Sequence, residues 1–279
     1  MAAGTWSEEL AAYRADRTSG AMALAQRAAE IVIAWAQGHP ADRREAFVAA
    51  LEDLLRALRE AHPDMAPPWH LTAAAREAVA GATDGPAARA AVIAAMQAFR
   101  QRLQDHEEAA AGHAAALLRS IRVLFTHSRS RLVAQALARA AADGHRLQVL
   151  CPIAEPGGEG RRMAEEAAAQ GHTALLLPDL VAAYYLPHAN LVLVGADAWD
   201  AEGIINKVGT LAFAVLARHF QRPFFVVATA EKRWPPAAGP HPARRPTAAA
   251  SGEIPWFEFV PRDLLTGLIL ETGLHPEGP

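Results

Sequence analysis

The sequence predicts an α/β protein in two parts: a helical N-terminal domain over residues 1–119 and a mostly parallel sheet domain over residues 120–279. Two observations carry this reading. Up to Arg119 the apolar residues recur at helical spacing with no strand signal between them. After Ser120 short runs of branched residues alternate with helical segments, the rhythm of strand–helix–strand units. A length of 279 residues suits two unequal parts, each able to bury a core of its own.

In the first part the helical stretches are "AMALAQRAAEIVIAWAQG", "REAFVAALEDLLRALREAH" and a long one from about Pro86 to Ser120. Proline and glycine break them at "GHPAD", "HPDMAPPWH" and "GATDGP". In the second part "IRVLFTH", "RLQVLCPI", "TALLLP", "NLVLVG" and "PFFVVAT" read as strands, so the segments near Val123, Val149, Leu176, Val192 and Val226 should be neighbours in one sheet. Gly144 and Gly171 close the helices that precede two of these strands, where left-handed backbone suits glycine. Both strand faces are apolar, as expected when helices cover the sheet on both sides.

Ligands of such sheets sit beyond the carboxyl ends of the strands. The candidate loops are therefore "THSRSR", "CPIAEPGGEGR", "PDLVAAYY", "GADAWDAEGIINK" and "ATAEKRWPP". With 27 basic and 30 acidic residues the chain has no global field to recruit nucleic acid or an anionic membrane. The single cysteine, Cys151, leaves no internal disulfide, the charged N-terminus lacks a signal peptide's apolar core, and no apolar run reaches membrane-spanning length. The expectation is a cytoplasmic protein with neither nucleic-acid nor membrane partners.

In "FTHSRSR" a helix starts where a strand ends. Ser128 or Ser130 as a cap, with Arg129 and Arg131 beside it, makes either an anion seat or an ordinary cap with solvated arginines. Asp197 ends the "LVLVG" strand on the same edge, where apolar walls raise a carboxyl pKa towards acid–base use, or where it simply binds loop amides. Asn206 and Lys207 are read as opening the next helix, an amide and a cation placed for a phosphate, or else a structural cap and a surface lysine. His106 and His113 share a helix face without a third ligand in register, and no metal is expected. "GGEGR" lacks the spacing of a dinucleotide or Walker loop, and no cofactor is expected. The proline-rich stretch Arg233 to Pro255 is read as a mobile loop.

The stretch "GADAWDAEGIINKVGTLAFAVLARHFQRPFFVVA" resembles the signature of a superfamily that unites the alpha, beta and delta subunits of translation initiation factor 2B with methylthioribose-1-phosphate isomerase and ribose-1,5-bisphosphate isomerase. "THSRSR", "PDLVAAYYLPHANLVLVGAD" and "FEFVPRDLLTGLILETG" match further segments, and "DRTSGAMALAQRA" is similar to a phosphate-contacting arginine–glycine–alanine stretch. The resemblance implies a helical domain followed by a Rossmann-like domain, a homodimer paired mainly through the latter, and a phosphorylated small molecule as ligand. It assigns Asp197 and Ser128 to the catalytic positions and Arg17, Gly20, Arg129, Asn206 and Lys207 to ligand binding. The isomerase branches carry a cysteine where this chain has Ser128, a far weaker acid than a thiol. Two further departures fall nearby: the family's Glu-x-Arg-Pro reads "IAEP" over Ile153 to Pro156, and its Ala-Glu after the last strand reads Ala228-Thr229. The leading expectation is a binding protein holding a sugar phosphate or nucleotide without isomerase turnover; the alternative is an aldose–ketose isomerase acting on a phosphorylated pentose.

Overall fold

The computed structural model describes residues 5–16, 19–244 and 254–276, which divide into two compact units. The first comprises residues 1–105 with 235–237, the second residues 106–234 with 238–279.

The N-terminal unit is helical, as the periodicity predicts: α1 (Thr5–Ala15), α2 (Ala21–Gly38), α3 (Arg44–Ala61), α4 (Pro67–Ala80) and the start of the long α5 (Gly85–Leu118). In α3 the buried residues are Phe47, Leu51, Leu54, Leu55 and Leu58, one apolar stripe at steps of three and four. They join Tyr13, Leu24, Trp35, Leu71, Met96 and Phe99 in a single core. The Arg44 guanidinium donates to the carbonyls of Ala82 (2.7 Å) and Val79 (3.1 Å), partners for the end of α4.

The division between the units falls inside α5, between Asp105 and His106, and not after Arg119. The cause is packing: Ala110, Ala111, Ala114, Ala115 and Leu118 are buried in one core with α6 (Arg131–Ala142) and the strands that follow. An alanine-rich helix reads the same along its whole length, so sequence periodicity does not reveal where its burial partner changes.

The C-terminal unit alternates strands and helices. To α6 it adds β1 (Val123–Phe125), β2 (Gln148–Pro152), α7 (Gly160–Ala169), β3 (Thr173–Leu177), α8 (Asp179–Tyr185), β4 (Leu191–Val194), β5 (Ala198–Asp200), β6 (Gly203–Lys207), α9 (Thr210–His219), β7 (Phe224–Val227), β8 (Phe257–Pro261), β9 (Gly267–Leu270) and β10 (Gly273–His275). The main sheet has the order β10-β9-β7-β4-β1-β2-β3, parallel except for β10. The five strands expected to be neighbours are contiguous in it. A second sheet, β5-β6-β8, is antiparallel.

Side chains of the main strands alternate between two cores. Leu124, Val149, Cys151, Leu193, Phe225 and Ile269 pack with α6 and α7; Phe125, Leu150, Val194, Val226 and Leu268 pack with α8 and α9. Cys151 is therefore a core residue, and burial pushes its thiol pKa up to about 12. Gly144 and Gly171 are left-handed (φ 84° and 85°), closing α6 and α7 as expected.

The apolar segment "FEFVPRDLLTGLILETG" is consumed inside the chain. It forms β8, which pairs with β6, and β9, which is buried between β7 and β10. Within Arg233–Pro255, residues 245–253 lie outside the described residues, while Pro236–Ala238 and Pro242–Arg244 form short turns and Trp234 is buried.

Candidate functional site

Four loops leave the carboxyl ends of β1, β2, β4 and β7, the edge where doubly covered sheets hold ligands. The β1 loop carries Thr126, His127 and Ser128. Ser128 is half-buried and left-handed (φ 60°), a conformation a non-glycine residue adopts only when its surroundings impose it. Ser130, not Ser128, caps α6, accepting from the Val133 amide at 3.4 Å. His127 explains part of the constraint. Its Nε2–H donates to the Val208 carbonyl at 2.9 Å, its ring packs on Phe213 with centroids 5.0 Å apart, and burial lowers its pKa, so the imidazole is neutral. Gly209 (φ 99°) passes so close that a Cβ there would lie 3.0 Å from His127 Nε2. His127 thus ties the β1 loop to the turn after β6.

Asp197 lies in the β4 loop, its amide donating to the Ile205 carbonyl at 2.8 Å where the small sheet begins. A Cβ on Gly195 would stand 2.5 Å from Ser130 Oγ, so glycine lets this loop close on the start of α6. Asp197 keeps some exposed surface, yet burial of its carboxyl raises the pKa; Lys232 and Lys207 oppose that shift, and Glu159 adds to it.

Lys232 was not singled out from sequence. It sits in the short turn Ala230–Lys232 after β7, and its buried Nζ donates to the Ala196 carbonyl at 2.5 Å. Burial lowers its pKa, a shift that Asp197 and Glu107 oppose. Glu107, on α5, is 2% exposed with Arg131 at 3.3 Å, and burial raises its pKa. The available signal for Lys232 was position alone: a lysine shortly after the end of an apolar strand on the ligand edge. Glu107 had none, because a glutamate inside a helix reads as solvated surface.

Asn206 and Lys207 do not open a helix. They end β6, paired with Glu258 and Phe257 of β8, and α9 starts at Thr210. The free helix amides expected beside them are taken: the Leu211 amide donates to Glu258 at 2.8 Å, and the amides of Gly209 and Thr210 also act on that carboxylate. Asn206 donates to Thr210 Oγ1 (3.2 Å), whose hydroxyl donates to the Lys207 carbonyl (2.6 Å), closing the turn. Lys207 Nζ donates to the Pro156 carbonyl and to Glu159 Oε1 (3.1 Å), and lies 4.2 Å from the Trp256 ring centre.

The arginines are engaged elsewhere. Arg129 pairs with Glu166 of α7 at 2.9 Å, and Arg131 with Glu107. Gly20 is the exposed N-cap of α2 in the N-terminal unit, and Arg17 lies outside the described residues. In the "IAEP" segment the amides of Ala154 and Glu155 donate to the Asp179 carboxylate at 2.8 and 3.0 Å. Among the described residues no group of three or more His, Cys, Asp or Glu is placed to hold a metal; His106 instead pairs with Glu231 at 2.9 Å.

Lys232, Glu159 and Lys207 therefore all act electrostatically on Asp197, although they come from separate parts of the sequence. Residues 17–235 match the sequence profile of the Initiation factor 2 subunit family. The chain belongs to that family. A ribose 1,5-bisphosphate isomerase of Haloterrigena turkmenica is 31% identical over 234 residues, 83% of this chain and 70% of that protein. A methylthioribose-1-phosphate isomerase of Desulforudis audaxviator is 30% identical over 261 residues, 83% of this chain and 75% of that protein. The fold of this family member is similar to the crystal structure of the Pyrococcus horikoshii translation initiation factor eIF-2B, with a TM-score of 0.81, 22% identity and coverage of 98% and 97% of the two chains. The family resemblance noted from the sequence is thus established, together with an α/β fold shared by its isomerase and initiation-factor branches.

Proposed function

We propose that this family member binds a sugar phosphate or nucleotide through the loops at the carboxyl edge of its main sheet, without the isomerase turnover of its relatives. The observation that carries the reading is the contrast between Asp197 and Ser128. Asp197 stands where the resemblance puts the acid–base carboxylate, and its raised pKa with Lys232 beside it suits that chemistry. The resemblance puts a cysteine at position 128, and this chain supplies a hydroxyl there. A thiol titrates near 8.5, whereas a serine hydroxyl needs a base to lose its proton. Lys207 and Lys232 are the cations available to a phosphate ester. We further propose a cytoplasmic homodimer paired through the C-terminal unit.

The alternative, an aldose–ketose isomerase on a phosphorylated pentose, is favoured by the same Asp197–Lys232 arrangement, with Asp197 moving the proton and Ser128 or a water in the thiol's place. NMR on the unmutated protein with ribose 1,5-bisphosphate and methylthioribose 1-phosphate separates the two. Thermal stabilisation by a phosphosugar with no ketose formed supports the binding protein; rapid ketose formation replaces it with the enzyme. Ser128→Cys should then introduce measurable isomerisation where the natural protein has none.

A further inference from the structure

Lys207 is a cation almost without water: its side chain is 5% exposed. A buried ammonium must be matched by an anion and by hydrogen-bond acceptors. Here the chain itself provides them, in the Pro156 carbonyl, Glu159 Oε1 and the face of Trp256. The partner is far less enclosed, since the Glu159 side chain is 34% exposed. Glu159 is thus the member of the pair whose side chain reaches solvent, while its second carboxylate oxygen, Oε2, is buried without a hydrogen-bond partner.

The backbone around Glu159 brings its carboxylate to Lys207 through two glycines. Glu159 follows Gly157 and Gly158, both left-handed (φ 105° and 70°). A Cβ on Gly157 would lie 2.7 Å from the Trp256 ring and 2.6 Å from Glu159 Oε1, so glycine is what lets backbone, ring and carboxylate close around the ammonium. The other side is anchored: a Cβ on Gly160 would lie 1.7 Å from the Pro152 carbonyl oxygen. Glu159 therefore stands between two left-handed glycines and a closely packed helix start.

We infer that Glu159 is a specificity-determining residue of the candidate site: its carboxylate holds the place of a ligand anion on Lys207, and a ligand fills that place only by replacing it. The inference rests on the sugar-phosphate reading above and adds a selection rule to it. A neutral sugar brings Lys207 no charge, and a lone carboxylate exchanges like for like. A phosphate monoester carries about −1.5 to −2 charge at neutral pH and three acceptor oxygens, enough to replace both Glu159 and the Pro156 carbonyl.

Glu159→Gln keeps the shape and an acceptor for Lys207 but removes the competing charge. By isothermal titration calorimetry it should bind ribose 1-phosphate about tenfold more tightly than the natural protein, with ribose itself showing no gain. The gain should vanish when Lys207 is changed to Met in both proteins. Glu159→Asp, which shortens the reach to Lys207, should show a smaller gain and serves if the glutamine variant folds poorly. Equal or weaker binding of ribose 1-phosphate by Glu159→Gln, with the natural protein binding it, overturns the inference and leaves the sugar-phosphate reading intact. A gain that persists without Lys207 also overturns it. Failure of the natural protein and of both Glu159 variants to bind ribose 1-phosphate removes the sugar-phosphate reading and the inference together.

Discussion

Burial drives Lys232 towards its neutral amine and Asp197 towards its acid, and each opposes the other's shift. Such a pair is poor material for stability, because the desolvation of two ions offsets most of their attraction. Lys232→Met removes one partner and leaves the Asp197 carboxyl buried without its cation, so it is expected to lower the thermal midpoint while weakening phosphosugar binding at least tenfold, about 1.4 kcal/mol. A calorimetric melt and a binding titration on the same preparation test both halves. His127 supplies a pH test. Its pKa is lowered in the folded chain, so below the ordinary imidazole value of about 6.5 the unfolded chain takes up a proton that the folded one refuses, and stability falls as pH drops. His127→Asn should lose less stability than the natural protein between about pH 7 and 5, measured by urea unfolding. Asp197 and Ser128 were legible in the sequence because each follows an apolar strand on the ligand edge. Lys232, Glu107 and Glu159 were not, since each acquires its role from a partner distant in the chain.

The helix that was expected to begin at Asn206 shows what local signals miss. Asn-Lys-Val-Gly-Thr carries an asparagine cap, a glycine and a helix-like continuation, and nothing in it announces that Gly203–Lys207 pairs on both sides with β5 and β8. Non-local pairing won over a local cap. The strands of the main sheet were legible for the opposite reason, since runs such as "NLVLVG" and "PFFVVAT" are apolar on both faces and bounded by turn residues. The actual cap of α9 comes from Glu258 on β8, which accepts from the Leu211 amide. Glu258→Ala should cost about 1 kcal/mol, the usual worth of a lost cap. Amide hydrogen exchange should quicken first at Gly209 to Leu211, and faster exchange spread evenly over the sheet instead would show that Glu258 acts by other means.

Three cores, one in the N-terminal unit and one on each face of the main sheet, account for why the change of grammar near Ser120 was visible while the division inside α5 was not. Periodicity reports that a helix has an apolar face; it does not report what covers that face. The proposed pairing of two chains rests on the family resemblance alone, because the apolar C-terminal segment is covered internally. Light scattering at micromolar protein should give twice the 29.7 kDa chain mass, and a monomer mass would remove the proposal.

The position of Cys151 has a practical consequence for these experiments. Reaction with thiol reagents needs the thiolate, and a thiol pushed up to about 12 holds almost none at neutral pH. The folded chain is therefore a silent background for any cysteine placed by mutagenesis. In Ser128→Cys a chromogenic disulfide should count one fast thiol per chain before unfolding and two after it. The pH dependence of the fast one would then measure the electric field at residue 128 directly, in the same protein whose turnover is being assayed.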